Sequence, residues 1–404
     1  MPFGCRMRSV VRADVARCAR GRAASGAAAR YIYIACPWTP VGGGMFKVAD
    51  YLIQAQRPSP KPGFAELRPL DTRGGGRAVF SLWVLACALA KLVRGRMSGR
   101  LAGVHVNMAE RLSLFRKGTV VVVARALGVP VVLHLHAAEL HHFYRQLPGP
   151  LQALTRWVYS LPSVCIVLGS AARRFVVEDL LVSPDRVEVV INGVPEPAVA
   201  RRTAIASGTQ RVLFLGNLSE RKGLSNLLQA LALPGFCGDR LEVTIAGGGD
   251  VDGYRQQAVR LGIDDFVKFV GWADQPKVAA LMANADVLVL PSFDEGLPLV
   301  ILEAMANGVA VVCTPVGEIP SALADGADAL FVEPGNASSI AAGLQSVLSD
   351  AELRERLEAN GRQSYERRYS LNRFFESIAR IHGKHFGICA EARQSMQLST
   401  RWGR

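Results

Sequence analysis

The sequence predicts an α/β protein made of two doubly wound domains that face each other across a cleft. Short apolar runs, typical of buried parallel strands, alternate with helical stretches along the chain. Residues 195–210 have no periodic apolar pattern and are expected to link two halves. The 404 residues, 50% of them hydrophobic, are too many for one ordinary core and suit two domains.

Five segments follow from these patterns. Residues 1–30 are expected to be disordered or an over-extended start of the reading frame, because Arg recurs every few positions and no continuous apolar run is present. Residues 31–206 are assigned to the first domain and residues 207–370 to the second. A helix at 371–386 and a tail at 387–404 complete the chain.

The first domain begins with a buried strand, Tyr31–Ala35, which leads into a turn-rich loop and a helix near Met45. Residues 56–76 are rich in Pro, Gly and Arg and are assigned to a loop. A helix is expected over Arg111–Leu127, although its valine run would favour a strand on propensity alone. Further strands are predicted at Leu101–Val106, Val129–Leu135, Ser163–Leu168 and Arg186–Ile191.

The second domain alternates clearly between strand and helix, which predicts a parallel sheet covered by helices on both faces. Its strands are expected at Val212–Leu215, Leu241–Ala246, Phe266–Val270, Val287–Leu290, Ala310–Cys313 and Ala329–Val332. Its helices are expected at Ser225–Leu233, Gly253–Leu261, Gln275–Asn284, Val300–Asn307, Asn336–Leu348 and Ala351–Tyr369, before a last helix at Asn372–His382. In such sheets, ligands bind beyond the carboxyl ends of the strands.

The formal net charge of +13 is divided unevenly along the chain. Residues 31–206 hold 21 Lys and Arg against 10 Asp and Glu, whereas residues 207–383 hold 15 against 22. A basic half joined to an acidic half indicates that the first half meets something anionic, unless its basic face has no partner. An anionic membrane surface or a lipid-pyrophosphate substrate would suit it. The acidic second half, and the lack of a basic-aromatic strip, disfavour nucleic acid.

Other patterns exclude further classes of protein. None of the 8 Cys forms a C-x-x-C pair, so buried thiols in a reducing cytosol are expected rather than a zinc or redox site. The best apolar stretch, Ala78–Ala90, is shorter than the roughly 20 residues that span a bilayer. It is expected to form a core helix, or a helix that dips partly into a membrane interface. No G-x-S-x-G motif is present, which disfavours a serine hydrolase.

Three glycine-rich loops follow predicted strands and are candidates for phosphate binding. Gly42–Gly44 precedes a helix, where backbone N–H groups and the helix dipole favour an anion, although a tight turn without a ligand is the alternative. The spacing does not match G-x-G-x-x-G, so a dinucleotide fold is not supported. Gly216–Gly223 carries Arg221 and Lys222, two cations that suit a pyrophosphate. Gly247–Gly249 offers another close approach of the backbone.

The most informative stretch is Ala285–Val312, in which a strand, a polar loop and a helix follow one another. Pro298 suits a helix start because its missing N–H is not needed there. Glu295 lies near that start and Glu303 lies ~2.2 turns further on, so both are expected to face one cleft. A buried carboxylate between Leu302 and Ala304 needs partners, and sugar or ribose hydroxyls are suitable donors.

Two histidines, His134 and His136, lie at the end of the strand Val129–Leu135. We expect them to point to opposite faces of the sheet, one packing in the core and the other facing the cleft. No cluster of His, Asp and Glu has a spacing that demands a metal ion.

Together these residues resemble the retaining glycosyltransferases of the GT-B family-4, or group 1, type. The resemblance covers Tyr31 to His382 and is most specific from Val212 to Gly335, where two glutamates are separated by seven residues. It implies the GT-B fold, with two Rossmann-like domains and a last helix that crosses back onto the first domain. Asn192–Gly193–Val194 also matches a family segment that precedes the linker.

The resemblance implies a role for each site residue. Glu295 would hold the hydroxyls of the donor sugar, Glu303 the nucleotide ribose and Lys222 the pyrophosphate. The family often has Arg where this chain has Asn217, so either Asn217 or Arg221 serves the diphosphate beside Lys222. The implied catalytic residues are His136, Arg221, Lys222 and Glu295. The implied donor-binding residues are Gly43, Gly44, Gly216, Asn217, Gly248, Gly296, Leu297, Pro298 and Glu303.

The activity implied is transfer of a hexose, with retention, from a UDP- or GDP-linked donor to a glycan acceptor. The basic first half favours a lipid-pyrophosphate-linked acceptor in polysaccharide biosynthesis, and a cytoplasmic enzyme that touches the inner face of the membrane. No cofactor or metal is expected, and no nucleic-acid partner. A GT-B-fold sugar epimerase and a catalytically inactive scaffold of a polysaccharide-assembly complex are the alternatives.

Overall fold

The computed structural model describes residues 30–39, 43–56, 65–75, 78–137, 140–201, 208–236 and 240–388. The predictions for residues 1–29, for Gly42, for residues 57–64 of the loop, for residues 202–207 of the linker and for the tail from residue 389 lie outside these ranges.

The first domain is built on a six-stranded parallel sheet with the strand order β2-β1-β3-β4-β5-β6. Its central strands are buried on both faces, which explains their continuous apolar runs. The strands are β1 (Tyr31–Cys36), β2 (Glu66–Asp71), β3 (Leu101–Met108), β4 (Val131–Leu135), β5 (Val164–Val167) and β6 (Val187–Val189). The helices are α1 (Gly43–Gln54), α2 (Ala78–Met97), α3 (Leu112–Ala126), α4 (Leu140–Gln146), α5 (Gly149–Ser160) and α6 (Ser170–Glu178).

The second domain is built on another six-stranded parallel sheet, with the strand order β12-β11-β10-β7-β8-β9. Its strands are β7 (Gln210–Leu215), β8 (Leu241–Ala246), β9 (Val267–Gly271), β10 (Val287–Leu290), β11 (Ala310–Cys313) and β12 (Leu330–Phe331). Its helices are α7 (Leu224–Leu231), α8 (Val251–Arg260), α9 (Gln275–Asn284), α10 (Leu299–Ala306), α11 (Ile319–Ala322), α12 (Ala337–Ser349) and α13 (Ala351–Ser364).

The prediction of a loop over residues 56–76 is wrong in its second half, where β2 forms. β2 pairs in parallel with β1 along its whole length and lies at the edge of the sheet. It contains Pro69, which an edge strand tolerates because one side of the strand needs no partner. Proline and charged residues therefore interrupt the apolar pattern from which a strand is predicted.

The last helix, α14 (Leu371–Phe386), leaves the second domain and packs against α1, β3 and β4 of the first. A π-helical turn, Tyr365–Tyr369, separates it from α13, so the single helix predicted over Ala351–Tyr369 ends earlier than expected. Tyr369 and Leu371 exchange backbone hydrogen bonds with Val194, which holds the crossing point against the segment before the linker.

Helix α2 is apolar on its outer surface as well as on its buried face. Its inward residues recur at helical spacing, but Phe80, Leu82 and Trp83 are exposed, Trp83 to 61%. Among the described residues, no helix is both long and apolar enough to cross a membrane.

Candidate functional site

The carboxyl ends of the two sheets meet at a cleft between the domains. A cavity of about 230 Å³ opens there and is lined from both sides. Leu135 and Ala137 of the first domain contribute to one wall, and Asp294, Glu295 and Gly296 of the second contribute to the other. The structure therefore places the ends of β4 and β10 opposite each other, as ligand sites in doubly wound sheets require.

Lys222 and Glu295 form an ion pair on the second-domain side of the cleft. The Lys222 Nζ donates to Glu295 Oε1, and both side chains are largely buried. Ser292 Oγ donates to the same carboxylate oxygen at 2.7 Å, which fixes the carboxylate orientation. Two residues that lie 73 positions apart are thus brought together by the β7 and β10 loops.

Arg221 is held differently from its neighbour. Its Nη1 donates to the backbone carbonyl of Asp294 at 2.8 Å, and its own carbonyl accepts from the Phe293 N–H at 2.9 Å. Arg221 therefore ties the β7 loop to the β10 loop. Asn217 follows Gly216 directly and faces Gly248, where an added Cβ would contact the Asn217 side chain at 3.9 Å.

The glycine loops after β7 and β8 pack directly on each other. The Leu218 N–H donates to the Gly248 carbonyl at 2.7 Å, and the Gly216 N–H donates to the Ala246 carbonyl at 3.1 Å. A Cβ on Gly247 would overlap the carbonyl oxygen of Gly216, so this contact needs glycine. The two loops form one backbone surface beside Lys222.

The start of α10 faces the glycine loop of the first domain. Pro298 is the N-cap of α10, which has no side-chain cap, and Leu297 is buried just before it. Gly44 lies in the first turn of α1, where an added Cβ would come within 4.0 Å of Leu299. Gly43 has a φ of +58° and open space around it. Gly296 accepts a hydrogen bond at its carbonyl from the Glu318 N–H.

Glu303 joins the two domains. Its Oε1 accepts hydrogen bonds at 3.1 Å from both Lys47 Nζ and Tyr51 Oη on α1. Its Oε2 is buried and has no hydrogen-bond partner among the described residues. Burial, with the neighbouring Glu303 carboxylate second, raises the pKa of Tyr51 well above its usual value, so the phenol stays protonated and donates.

His134 and His136 lie on the same face, and the prediction of opposite faces is wrong. Residues two apart on a strand share a face, and the two rings are 4.0 Å apart. His134 is buried against His105, whereas His136 is half-buried at the cleft and its Nε2 lies 2.7 Å from Asn107 Oδ1. Burial, followed by the charges of His105 and Lys117, lowers the pKa of His136 well below its usual value.

Three contributors were missed by the sequence analysis. Lys47 and Tyr51, which bind Glu303, lie four residues apart on one face of α1, a spacing that marks a polar edge beside the apolar stripe. Glu318 is buried, and its carboxylate accepts from the Ala171 and Ala172 N–H groups at the start of α6, at 3.3 and 2.6 Å. No sequence pattern points to such a contact, because it joins different domains.

Within the described ranges, no group of three or more His, Cys, Asp or Glu side chains is arranged to hold a metal ion. The polar groups of the cleft are instead cations, carboxylates and backbone amides, which suit a ligand with phosphates and hydroxyls.

Residues 196–364 match the family model described as glycosyl transferases group 1. The resemblance inferred from the sequence is therefore confirmed over the second domain.

Curated relatives carry related names. A phosphatidyl-myo-inositol mannosyltransferase of Mycobacterium leprae is 34% identical over 222 residues, which cover 54% of this chain and 58% of that protein. A D-inositol 3-phosphate glycosyltransferase of Corynebacterium aurimucosum is 31% identical, covering 46% and 49%. A glycogen synthase of Mycobacterium tuberculosis is 28% identical, covering 60% of each. The chain thus spans between 49% and 60% of the length of these relatives.

Solved structures show the fold. Sucrose-phosphate synthase from Thermosynechococcus elongatus superposes with a TM-score of 0.70 at 17% identity, covering 89% of this chain and 99% of that one. Anabaena HepE in complex with UDP superposes with a TM-score of 0.69 at 17% identity, covering 88% and 100%. The fold is GT-B, as the sequence predicted.

Proposed function

We propose, from the match of the second domain to glycosyl transferases group 1, that this protein transfers a hexose from a UDP- or GDP-linked donor to a glycan acceptor. The observation that supports this proposal most is the incomplete hydrogen bonding of the Glu303 carboxylate. One of its carboxylate oxygens binds Lys47 and Tyr51, and the other is buried with no partner among the described residues. A ribose hydroxyl would supply the missing donor, and a buried carboxylate oxygen without one is costly.

The chemistry assigned to the other residues concerns the leaving group. When the bond to the donor sugar breaks, the departing diphosphate gains negative charge. Lys222, beside the backbone of Gly216 and Gly248, would stabilise that charge, and Arg221 or Asn217 would assist it. Because Glu295 already accepts from Lys222, the pair would also align the carboxylate with the sugar hydroxyls.

Retention of anomeric configuration belongs to the same proposal. The acceptor hydroxyl would attack from the face that the diphosphate leaves, so the diphosphate oxygens would take the proton. His136 would lie near the donor sugar as a neutral hydrogen-bonding group, since its pKa is lowered by burial. No metal ion is assigned to this reaction.

The proposed acceptor is a lipid-pyrophosphate-linked glycan of cell-surface polysaccharide assembly, reached from the cytoplasmic face of the membrane. The basic first half of the chain supports this, with 21 Lys and Arg against 10 Asp and Glu in residues 31–206. Exposed apolar side chains on α2, next to Lys91, Arg94 and Arg96, support it further. The name of the Mycobacterium leprae relative, a phosphatidyl-myo-inositol mannosyltransferase, is compatible with a lipid acceptor.

Calorimetric titration with UDP, GDP and ADP tests the donor site. We expect one diphosphate to bind more tightly than the other two, and both Lys222→Ala and Glu303→Gln to weaken it at least tenfold. Lys277→Ala, which removes an exposed lysine from α9, is the matched control and should bind as the native protein does. Failure of all three diphosphates to bind the folded protein would reject the transferase and favour a scaffold.

The product distinguishes the remaining alternatives. With the preferred donor and an acceptor glycan, NMR of the anomeric proton should show the configuration of the donor. Inversion would contradict the retaining mechanism, and release of nucleotide without any acceptor would favour an epimerase.

A further inference from the structure

A group of hydrogen-bond donors without oxygen partners lies at the carboxyl edge of the first sheet. Asn107 Nδ2, Ser113 Oγ and Arg116 Nε are buried atoms that have no hydrogen-bond partner among the described residues. Lys117 is 0% exposed, and within the part of the chain that the structure describes its ammonium donates only to the thioether sulfur of Met45, at 3.1 Å. A thioether is a weak acceptor and supplies no counter-charge to the ammonium.

These four residues share one location. Ser113 lies three residues before Arg116 and four before Lys117, so the three side chains neighbour one another in the first turns of α3. Asn107 is the penultimate residue of β3, the strand that precedes α3. The helix begins at Leu112 without a side-chain cap, so its first N–H groups add to the same set of donors.

The chemistry of the group points to an anion. The unpartnered side-chain atoms can only donate, apart from the Ser113 hydroxyl, which can also accept. A buried ammonium without a counter-charge is costly, and a bound anion would remove that cost. Donors that come from a strand, a helix start and two cationic side chains approach from several directions, which suits a tetrahedral phosphate better than a planar carboxylate.

We propose that Asn107, Ser113, Arg116 and Lys117 bind a phosphate or pyrophosphate group of the acceptor, at a site distinct from the donor diphosphate site around Lys222. This proposal rests on the proposed function. The group belongs to the first domain, whereas Arg221 and Lys222 belong to the second. A hydrogen bond from the His136 Nε2–H to Asn107 Oδ1 connects it to the cleft, and the Met45 side chain would move aside to admit the ligand.

The surroundings suit a phosphate that carries a lipid. Phe80 and Trp83 in the first turns of α2, and Leu112 and Phe115 in the first turn of α3, are exposed. Helices α2 and α3 pack against each other, and both begin at the edge of the sheet that holds the four donors. An isoprenoid or acyl chain would lie along these side chains while its phosphate reaches Lys117.

Calorimetric titration with inorganic pyrophosphate, with the preferred nucleoside diphosphate present at saturation, tests the site. We expect binding to the native protein, and an affinity at least tenfold lower in Lys117→Met and Arg116→Gln. Arg125→Gln removes an exposed arginine from the last turn of the same helix and should change nothing. Unchanged pyrophosphate binding in Lys117→Met, or none in native protein that binds the nucleotide, would overturn the proposal.

Thermal unfolding shows whether the variants remain folded. Lys117→Met keeps the volume of the side chain and removes an unpaired buried charge, so its Tm should equal or exceed that of the native protein. With the nucleoside diphosphate at saturation, pyrophosphate should raise the Tm of the native protein further and should not raise that of the variant. If no nucleoside diphosphate binds, only the proposed function is contradicted. Pyrophosphate binding to the Lys222→Ala protein then tests the second site independently.

Two further probes distinguish the source of the phosphate. Tighter binding of farnesyl pyrophosphate than of inorganic pyrophosphate, with the difference lost in Phe80→Ser/Trp83→Ser, would assign a lipid-linked acceptor. Tighter binding of glucose 1-phosphate, unaffected by that double substitution, would assign a free sugar phosphate at the same site. If all of these ligands bind Lys117→Met as they bind the native protein, the site does not exist.

Discussion

Gly223 shows how a single residue positions Lys222. It has a φ of +68°, and a Cβ added there would overlap the carbonyl oxygen of Pro291 at the end of β10. Gly223→Ala would therefore strain the backbone, at about 1–2 kcal/mol for the left-handed conformation, and would also push the β7 and β10 loops apart. We expect a larger loss of unfolding free energy than that strain alone, together with weaker nucleoside diphosphate binding.

Gly262→Ala distinguishes the backbone strain from the steric overlap with Pro291. Gly262 has nearly the same φ, +67°, but an added Cβ would meet nothing within 4 Å. Chemical denaturation of both variants should show a greater loss for Gly223→Ala, and only this variant should lose nucleotide affinity. Equal losses would mean that the close approach to Pro291 does not matter.

At the level of single residues, the sequence led to Glu295, Glu303 and Lys222 because charged side chains next to strand ends are conspicuous. It did not lead to the partners of Glu303, since Lys47 precedes it by 256 residues and lies in the other domain. The position of Lys117 could have been recognised as unusual from the sequence. It occupies the buried stripe of α3 with Leu114, Val121 and Ala124, where a charge is unexpected.

Among the elements, α6 depends on the other domain for the cap at its start. Glu318 accepts from two N–H groups in its first turn, where the helix dipole favours a negative charge. Glu318→Ala should cost about 1–2 kcal/mol of unfolding free energy and should loosen the contact between the domains. Glu355→Ala, at an exposed position of α13, is the control and should cost little.

Small-angle scattering would measure the second effect. We expect a larger radius of gyration for Glu318→Ala than for the native protein or for Glu355→Ala. An unchanged radius with an unchanged Tm would show that the Glu318 contact stabilises neither α6 nor the contact between the domains.

A chain of buried histidines fastens α14 to the first domain. His382 Nε2 lies 2.9 Å from His105 Nδ1, and His105 Nε2 lies 3.3 Å from His134 Nδ1. Burial lowers the pKa of His105 from 6.5 to about 3, and lowers the pKa of His134 and His382 well below 6.5. The unfolded chain therefore binds more protons than the folded protein, so this stability is present above pH 6.5 and is lost as the pH falls.

Urea unfolding between pH 8 and pH 5.5 tests this histidine chain. Below the unfolded pKa, each buried histidine should reduce the unfolding free energy by about 1.4 kcal/mol per pH unit. His382→Phe, which keeps a ring against Phe386, should make the pH dependence shallower by roughly that amount. An identical pH dependence in the variant would show that His382 does not titrate on unfolding.

For the elements, prediction succeeded where strands lie inside a sheet and failed at its edge. Strands such as β10 are apolar throughout because both faces are covered, and this made them easy to locate. The edge strand β2, with Pro69 among charged residues, has no such pattern. The helix α3 was found despite its valines, because apolar positions recur at helical spacing and Gly128 follows it.

At the scale of the whole molecule, the excess of basic residues and an exposed apolar surface lie in the same domain. The GT-B fold places the basic residues 31–206 in one domain and the acidic residues 207–383 mostly in the other. The basic domain also exposes Phe80, Leu82 and Trp83 on α2, whose last turns carry Arg94 and Arg96. The sequence showed the charge, but exposure of these apolar residues depends on which face of α2 the sheet covers.

This arrangement predicts that the protein binds anionic membranes through its first domain. Aromatic side chains suit the membrane interface, and nearby cations are attracted to anionic headgroups at about 1 kcal/mol each. Phe80→Ser/Trp83→Ser should therefore sharply reduce sedimentation with phosphatidylserine-containing vesicles at low salt, and raising the salt should weaken binding of the native protein. Val259→Ser removes an exposed apolar residue from the acidic domain and should have no effect. Equal binding to neutral and anionic vesicles would show that the basic residues do not contribute, and no binding at low salt would contradict the prediction.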